Sequence, residues 1–256
     1  MTFTDKFHTV STNVYTAGKI SMQLTVRDVS KLFAVSEKTV YRWLDHQSLP
    51  GYRVNSQYRF NRAELLEWAM ANRINVSTEL ISEPKSAGVR LEGLGEALGA
   101  GGIYYRVGGA DKKTALRSVV DMMQLPPEVD KEFLFNVLLA REEIASTGIG
   151  EGIAIPHVRN PIVLHVPQPT VSLCFLEKPI DFKAIDGRPV YCLFTIISPT
   201  VRAHLHLLSR LSFALRDLML KNAIETQASR EVIFSHIRRV EAELDEPKTT
   251  SPEQQE

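Results

Sequence analysis

The sequence predicts an α/β chain in two folded parts, a small helical block with a hairpin and a larger unit in which helices alternate with strands. Three observations predict it. Between residues 25 and 70, helix-capping residues precede short apolar patterns of helical period. Beyond residue 110, longer helical patterns alternate with short apolar, β-branched runs. Between the two, residues 74–90 (I-N-V-S-T-E-L-I-S-E-P-K-S-A-G-V-R) mix Ser, Pro, Gly and charge without period and read as a linker.

Taking the elements in order, residues 1–21 carry no apolar core and read as a disordered N-terminus. Thr25-Val26-Arg27-Asp28 fits a capping box, so a first helix starts at Val26 with Val26, Val29, Leu32 and Phe33 inward. Ala34-Val35 makes a tight turn. Ser36 caps a second helix, Glu37 to His46, with Val40, Trp43 and Leu44 inward. Two short helices at this spacing read as a helix-turn-helix. Tyr52-Arg53-Val54 and Tyr58-Arg59-Phe60 flank Asn55-Ser56-Gln57 as a small hairpin, and a third helix follows from Asn61 to about Met70. In the larger part the pattern predicts helices at about Lys112–Met123, Glu128–Glu142, Val201–Leu220 and Ser229–Leu244, and strands around Ile153, Val163, Val171 and Leu193. The tail, residues 246–256, is too polar to pack and reads as disordered.

Composition bounds the class. The 256 residues suffice for two ordinary domains, and 44% hydrophobic with 23% charged residues describes a soluble globular protein. Lys and Arg number 30 against 30 Asp and Glu, so any basic surface is local. No secretory signal precedes the pattern, and apolar runs such as Val190 to Ile197 are too short to span a bilayer. Cys174 and Cys192 fall inside expected strands and read as buried free thiols, which suits a reducing cytoplasm.

The stretch Ser146 to His157, S-T-G-I-G-E-G-I-A-I-P-H, carries the chemistry. Glycines at alternate positions permit positive φ and close approach. Ile153-Ala154-Ile155 reads as a short buried strand that ends on Pro156 and His157. Such a scaffold holds one imidazole at a surface cleft, and a neutral imidazole is a nucleophile able to carry a phosphoryl group. Other phosphate chemistry is missing. Gly93-Leu94-Gly95-Glu96-Ala97-Leu98 lacks the last glycine of a dinucleotide fingerprint, and Gly108 to Thr114 is not a P-loop. No Cys/His spacing suggests zinc. No cofactor is expected.

The stretch resembles the active-site signature of phosphotransferase-system enzyme IIA domains of the fructose, mannitol and nitrogen-regulatory class. Leu138-Leu139-Ala140-Arg141-Glu142-Glu143 upstream is similar to that family, as are Pro179-Ile180-Asp181-Phe182, Ala184-Ile185-Asp186-Gly187-Arg188-Pro189-Val190 and His204-Leu205-His206-x-Leu208-Ser209 downstream. The resemblance spans about Leu91 to Leu244 and implies a mixed sheet flanked by helices. It further implies His157 as phosphoryl acceptor, His204 as auxiliary histidine in preference to His206, Arg141 as phosphoryl-stabilising cation, and an HPr-like phosphocarrier as donor. Such a domain is a carrier rather than an independent turnover enzyme. One departure is Val158, where the family has glycine.

Residues 24–71 resemble the winged helix-turn-helix of the excisionase and MerR-like DNA-binding family. That likeness implies DNA contacts from Lys38, Thr39, Tyr41 and Arg42 on the second helix, and from Arg53 and Arg59 near the wing. The wing tip holds Gln57, where a basic residue is common. Eight basic residues against five acidic ones give Leu24–Arg73 about +3, which implies salt-sensitive binding. The expected organisation is a DNA-binding domain at 22–73, a linker at 74–90 and a phosphoryl-acceptor domain at 91–245. Three functions fit: a phosphorylation-responsive DNA-binding regulator, a phosphocarrier serving a transporter IIB domain, and a phosphorylation-incompetent sensor, for which Val158 is the sequence support.

Overall fold

The computed structural model describes residues 23–46, 49–54, 57–72, 74, 76, 91–158 and 166–245. The expected N-terminal and C-terminal tails, most of the expected linker and the strand expected around Val163 lie outside the described residues.

The N-terminal part holds a short strand β1 (Gln23–Leu24), helices α1 (Val26–Leu32) and α2 (Glu37–His46), a hairpin of β2 (Tyr52–Val54) and β3 (Gln57–Asn61), and α3 (Arg62–Ala71). α1 starts where the capping box places it. The Asp28 carboxylate accepts from Thr25 N–H at 2.9 Å, and Thr25 Oγ1 accepts from Asp28 N–H at 3.3 Å. Ala34 makes the turn between α1 and α2 with φ of 51°. The small core closes on three aromatic rings, with Trp43 and Trp68 centroids 5.2 Å apart and Phe33 at 5.8 Å from each.

The larger part is a five-stranded mixed sheet in the order β4-β7-β8-β6-β5. Its strands are β4 (Ile103–Val107), β5 (Gly148–Gly150), β6 (Ile153–Ala154), β7 (Thr170–Ile180) and β8 (Val190–Ile197). β7 and β8 run antiparallel, whereas β6 runs parallel to β8 and β4 parallel to β7. Both faces are covered, so β7 and β8 read as near-continuous apolar runs. Val171, Leu173, Phe175, Cys192, Phe194 and Ile196 face one core, while Cys174, Leu176, Leu193 and Ile197 face the other. Helices α5 (Lys112–Met122) and α6 (Lys131–Ile144) cover the second face. Helices α4 (Leu94–Gly101), α7 (Val201–Ala214), α8 (Leu218–Glu225) and α9 (Arg230–Asp245) belong to the first.

Several expectations shift. The helix expected at Val201–Leu220 is two helices, because Asp217 caps a new start by accepting from Leu220 N–H at 2.8 Å. α6 begins at Lys131 rather than Glu128, because Asp130 caps it. α4 and β4 are additions to the sequence reading. Ile74 and Val76, assigned to the linker, pack against the core, and Val76 is buried. Both cysteines are buried and free, with burial pushing the Cys174 thiol up to about 12.

The two parts are not separate bodies. α3 packs on α7 and β5, and one cluster of buried side chains runs from Val29 and Trp68 to Phe194 and Leu208.

Candidate phosphoryl-acceptor site and its neighbours

The glycine stretch folds into the β5–β6 hairpin. Its two central residues, Glu151 and Gly152, have φ of 55° and 77°, the left-handed region that a tight primed turn requires. A Cβ on Gly152 would lie 2.3 Å from the Tyr191 ring. Asp186 braces this hairpin, since its carboxylate accepts from Glu151 N–H at 2.8 Å. Glu142 anchors the other end. It is buried and accepts from Lys112 Nζ at 2.9 Å and from Thr147 Oγ1 at 2.6 Å, tying α6 to β5.

Past β6 the chain keeps its parallel course beside β8. Pro156 carbonyl accepts from Ile196 N–H at 3.1 Å, and His157 bridges Ile196. β8 then turns into α7, capped by Thr200 Oγ1 accepting from Ala203 N–H at 3.1 Å. His204 sits in the first turn of α7. Two neighbouring parallel strands thus deliver both histidines to their carboxyl ends, where α/β sheets place ligands. The two rings lie 5.1 Å apart, centroid to centroid, tilted 35°.

Arg141, in the last turn of α6, completes the group. Its Nη1 donates to Ala145 carbonyl at 2.7 Å, and its Nη2 donates to Glu67 Oε2. Glu67 lies on α3 of the N-terminal part, and its Oε1 is 2.8 Å from His157 Nε2. His157 Nδ1 is 2.7 Å from Ile155 carbonyl. A carbonyl only accepts, so Nδ1 carries a hydrogen, and Nε2 is the atom left for other chemistry. His157, Arg141 and His204 are all buried, at 1%, 6% and 2% exposure. The surface cleft expected for His157 is covered by α3.

The electrostatics follow from this crowding. Burial pushes the Glu67 carboxyl up, but the hydrogen bond and charge of His157, then the charge of Arg141, outweigh it and hold the group at about 2. Burial pushes His204 down to about 3, with His157 adding in the same direction. His204 is therefore neutral. Neither of its ring nitrogens, nor Arg141 Nε, has a hydrogen-bond partner among the described residues. Buried polar atoms are nearly always paired, so these mark a place built for a polar group. His206 differs, accepting from Arg210 Nε at 3.0 Å. Val158 turns into the second core, against the α5–α6 side of the sheet.

The expected DNA-contact residues sit apart from this site. Lys38, Tyr41 and Arg42 are exposed on α2, and Arg53 is exposed on β2. Thr39 is half-buried, its hydroxyl 3.0 Å from Ser36 Oγ at the start of α2. Arg59 is held at the wing, donating to Gln57 Oε1 at 2.6 Å and to Tyr58 carbonyl at 3.0 Å. Glu67 was not expected at the site. Its one sequence signal is that the apolar residues of α3 are spread around the helix, with Leu65, Leu66, Trp68 and Ala69 all buried, as in a helix packed on two faces.

Comparison with known proteins agrees with this division. Residues 24–73 match a helix-turn-helix domain family. Residues 99–240 match the family described as phosphoenolpyruvate-dependent sugar phosphotransferase system, EIIA 2. A nitrogen regulatory protein of Pseudomonas aeruginosa is 32% identical over 149 residues, covering 57% of this chain and 93% of that protein. A nitrogen regulatory protein of Escherichia coli is 35% identical over 147 residues, covering 55% of this chain and 86% of that protein. The solved nitrogen regulatory protein IIA-Ntr of Neisseria meningitidis is similar at 27% identity and a TM-score of 0.49, over 56% of this chain and 98% of that one. No helix among the described residues is long and apolar enough to cross a membrane. With more than half its length accounted for, the chain belongs to the EIIA 2 family of the phosphotransferase system and carries a helix-turn-helix domain on the N-terminal side.

Proposed function

We propose that the chain is a phosphotransferase-linked, DNA-binding regulator acting in the cytoplasm, of the nitrogen-regulatory kind that its relatives' names describe. Residues 91–245 accept a phosphoryl group on His157 from an HPr-like phosphocarrier, and residues 22–73 bind DNA. The observation that carries this reading is the convergence of His157, His204 and Arg141 at the carboxyl ends of β6 and β8. The Nε2 lone pair of neutral His157 forms the new P–N bond. The donor's P–N bond breaks, and its electron pair returns to the donor imidazole. Arg141 pairs with the phosphoryl oxygens, and neutral His204 has one N–H to donate to them. The hydrogen on Nδ1, held by Ile155 carbonyl, directs the reaction to Nε2. No cofactor of the chain's own takes part.

Two measurements test the two halves. The protein is incubated with phosphoenolpyruvate, enzyme I and the carrier, and acid-labile, base-stable phosphate is counted. Labelling of the wild type and none of His157→Ala is the expected result. Equal labelling of both moves the acceptor elsewhere. Gel shifts with promoter fragments at several salt concentrations test the other half. Absence of binding at low salt would leave a phosphocarrier that serves a transporter IIB domain.

A further inference from the structure

We infer that Glu67 on α3 occupies the position of the phosphoryl group, so that docking of the N-terminal domain and phosphorylation of His157 exclude one another. The inference rests on His157 being the acceptor. Four observations carry it. The Glu67 carboxylate bridges Nε2 of His157 and the guanidinium of Arg141, the two groups that would meet phosphorus and its oxygens. A P–N bond is shorter than the 2.8 Å hydrogen bond it would replace, so the phosphoryl group needs the space the carboxylate fills. Carboxylate oxygens only accept, and Nδ1 already holds one hydrogen, so the bond to Glu67 requires a second hydrogen on Nε2. The docked ring therefore has no free lone pair with which to attack. Finally, a phosphoryl group of charge about −1.5 to −2 cannot share one buried guanidinium with a carboxylate without strong repulsion.

The rest of α3 makes the block larger than one side chain. Met70 lines the small cavity beside His157 together with Gly148, Ile149 and Leu208, and α3 lies across β5 and α7. That is the face a carrier protein must reach. In the docked state His204 is buried with neither nitrogen paired among the described residues, and a phosphoryl oxygen would accept from the one N–H that the neutral ring carries. Phosphotransfer thus begins with α3 lifting away. His157 then loses its Nε2 hydrogen to solvent and takes the phosphoryl group, and the finished phosphohistidine keeps α3 off. The DNA-facing side of α2 stays exposed throughout, so the event changes how the DNA-binding domain is tethered and not whether its recognition helix is covered.

The test uses the full chain. Initial rates of labelling by the phosphorylated carrier are compared for wild type, Glu67→Ala, Glu67→Gln and His157→Ala. The apparent rate scales with the fraction of open molecules, so both Glu67 variants should label about tenfold faster or more, and His157→Ala should not label. Equal or slower rates in both Glu67 variants, with unchanged circular dichroism, overturn the exclusion and leave His157 as acceptor. If neither wild type nor the Glu67 variants label, the acceptor assignment fails and the exclusion with it. As a second readout, hydrogen exchange over α3 and β5 should rise when the wild type is phosphorylated, and stay unchanged in His157→Ala under the same mixture. Unchanged exchange in fully phosphorylated wild type also overturns the exclusion.

Discussion

α2 and α3 are two ten-residue helices of one small domain, and they are built for different neighbours. α2 buries Val40 and Trp43 and turns Lys38, Tyr41, Arg42 and Asp45 to solvent. α3 buries Glu64, Leu65, Leu66, Trp68 and Ala69, and its second acidic group, Glu67, is spent on a histidine 90 positions further along the chain. The helix proposed to meet nucleic acid keeps its polar face open. A helix that meets protein on both sides gives up that face, and the charge it retains is then bound to a specific partner. The difference teaches that the amphipathic helix is the one to examine for an external ligand, and the helix with apolar residues on every side for an internal contact.

The largest expected effect comes from exchanging the helices' aromatic residues. Trp68→Ala removes a ring from the three-aromatic core and should cost about 3–5 kcal/mol, read as a lower melting temperature. Tyr41→Ala, on the exposed face of α2, should stay within about 0.5 kcal/mol while weakening DNA binding. Comparable melting for both variants would break the contrast.

Next comes acidity. Glu67 is held at about 2 against an ordinary 4.5, and His204 at about 3 against 6.5. Both folded values lie below the unfolded ones, so the unfolded chain takes up protons first as pH falls. The contribution of these two groups should therefore be full above about pH 6.5. It should decline through the His204 window from 6.5 to about 3, with Glu67 adding its share between 4.5 and about 2. Melting temperature against pH checks this, and His204→Asn should flatten the part of the profile between pH 4.5 and 6.5. A flat wild-type profile over that range would contradict the burial argument.

The smallest effect belongs to α2 alone. Lys38→Ala and Arg42→Ala should each reduce the salt dependence of DNA affinity by about one phosphate contact, with no change in labelling of His157. A change in labelling would mean that α2, too, reports to the acceptor site.

Much of this was legible in the chain. Thr25 and Asp28 announced α1, Ala34 its turn, and Ile153-Ala154 the short buried strand before His157. Local rules reach that far because caps and turns are settled within four residues. α4 was not legible. Its sequence, L-G-E-A-L-G-A-G, is glycine-rich, and the reason lies elsewhere in the fold: a Cβ on Gly101 would stand 2.3 Å from Val171 carbonyl, so the glycine permits helix and strand to touch. The partner of Arg141 was not legible either. Glu142 and Glu143 follow Arg141 directly in sequence, yet Glu142 serves Lys112 and Thr147, and the guanidinium is matched from 74 positions away. Periodicity describes one element at a time, whereas this pairing depends on where two elements meet.

The single apolar cluster that runs from Val29 through Phe194 has a thermal consequence. Two halves that share one interior gain or lose it together, so calorimetry of the unmodified protein should record one endotherm rather than two. If α3 departs when phosphate arrives, that endotherm should split, with the helix-turn-helix half melting first because its three-ring core is small. The chain would then report its own modification as a change in cooperativity.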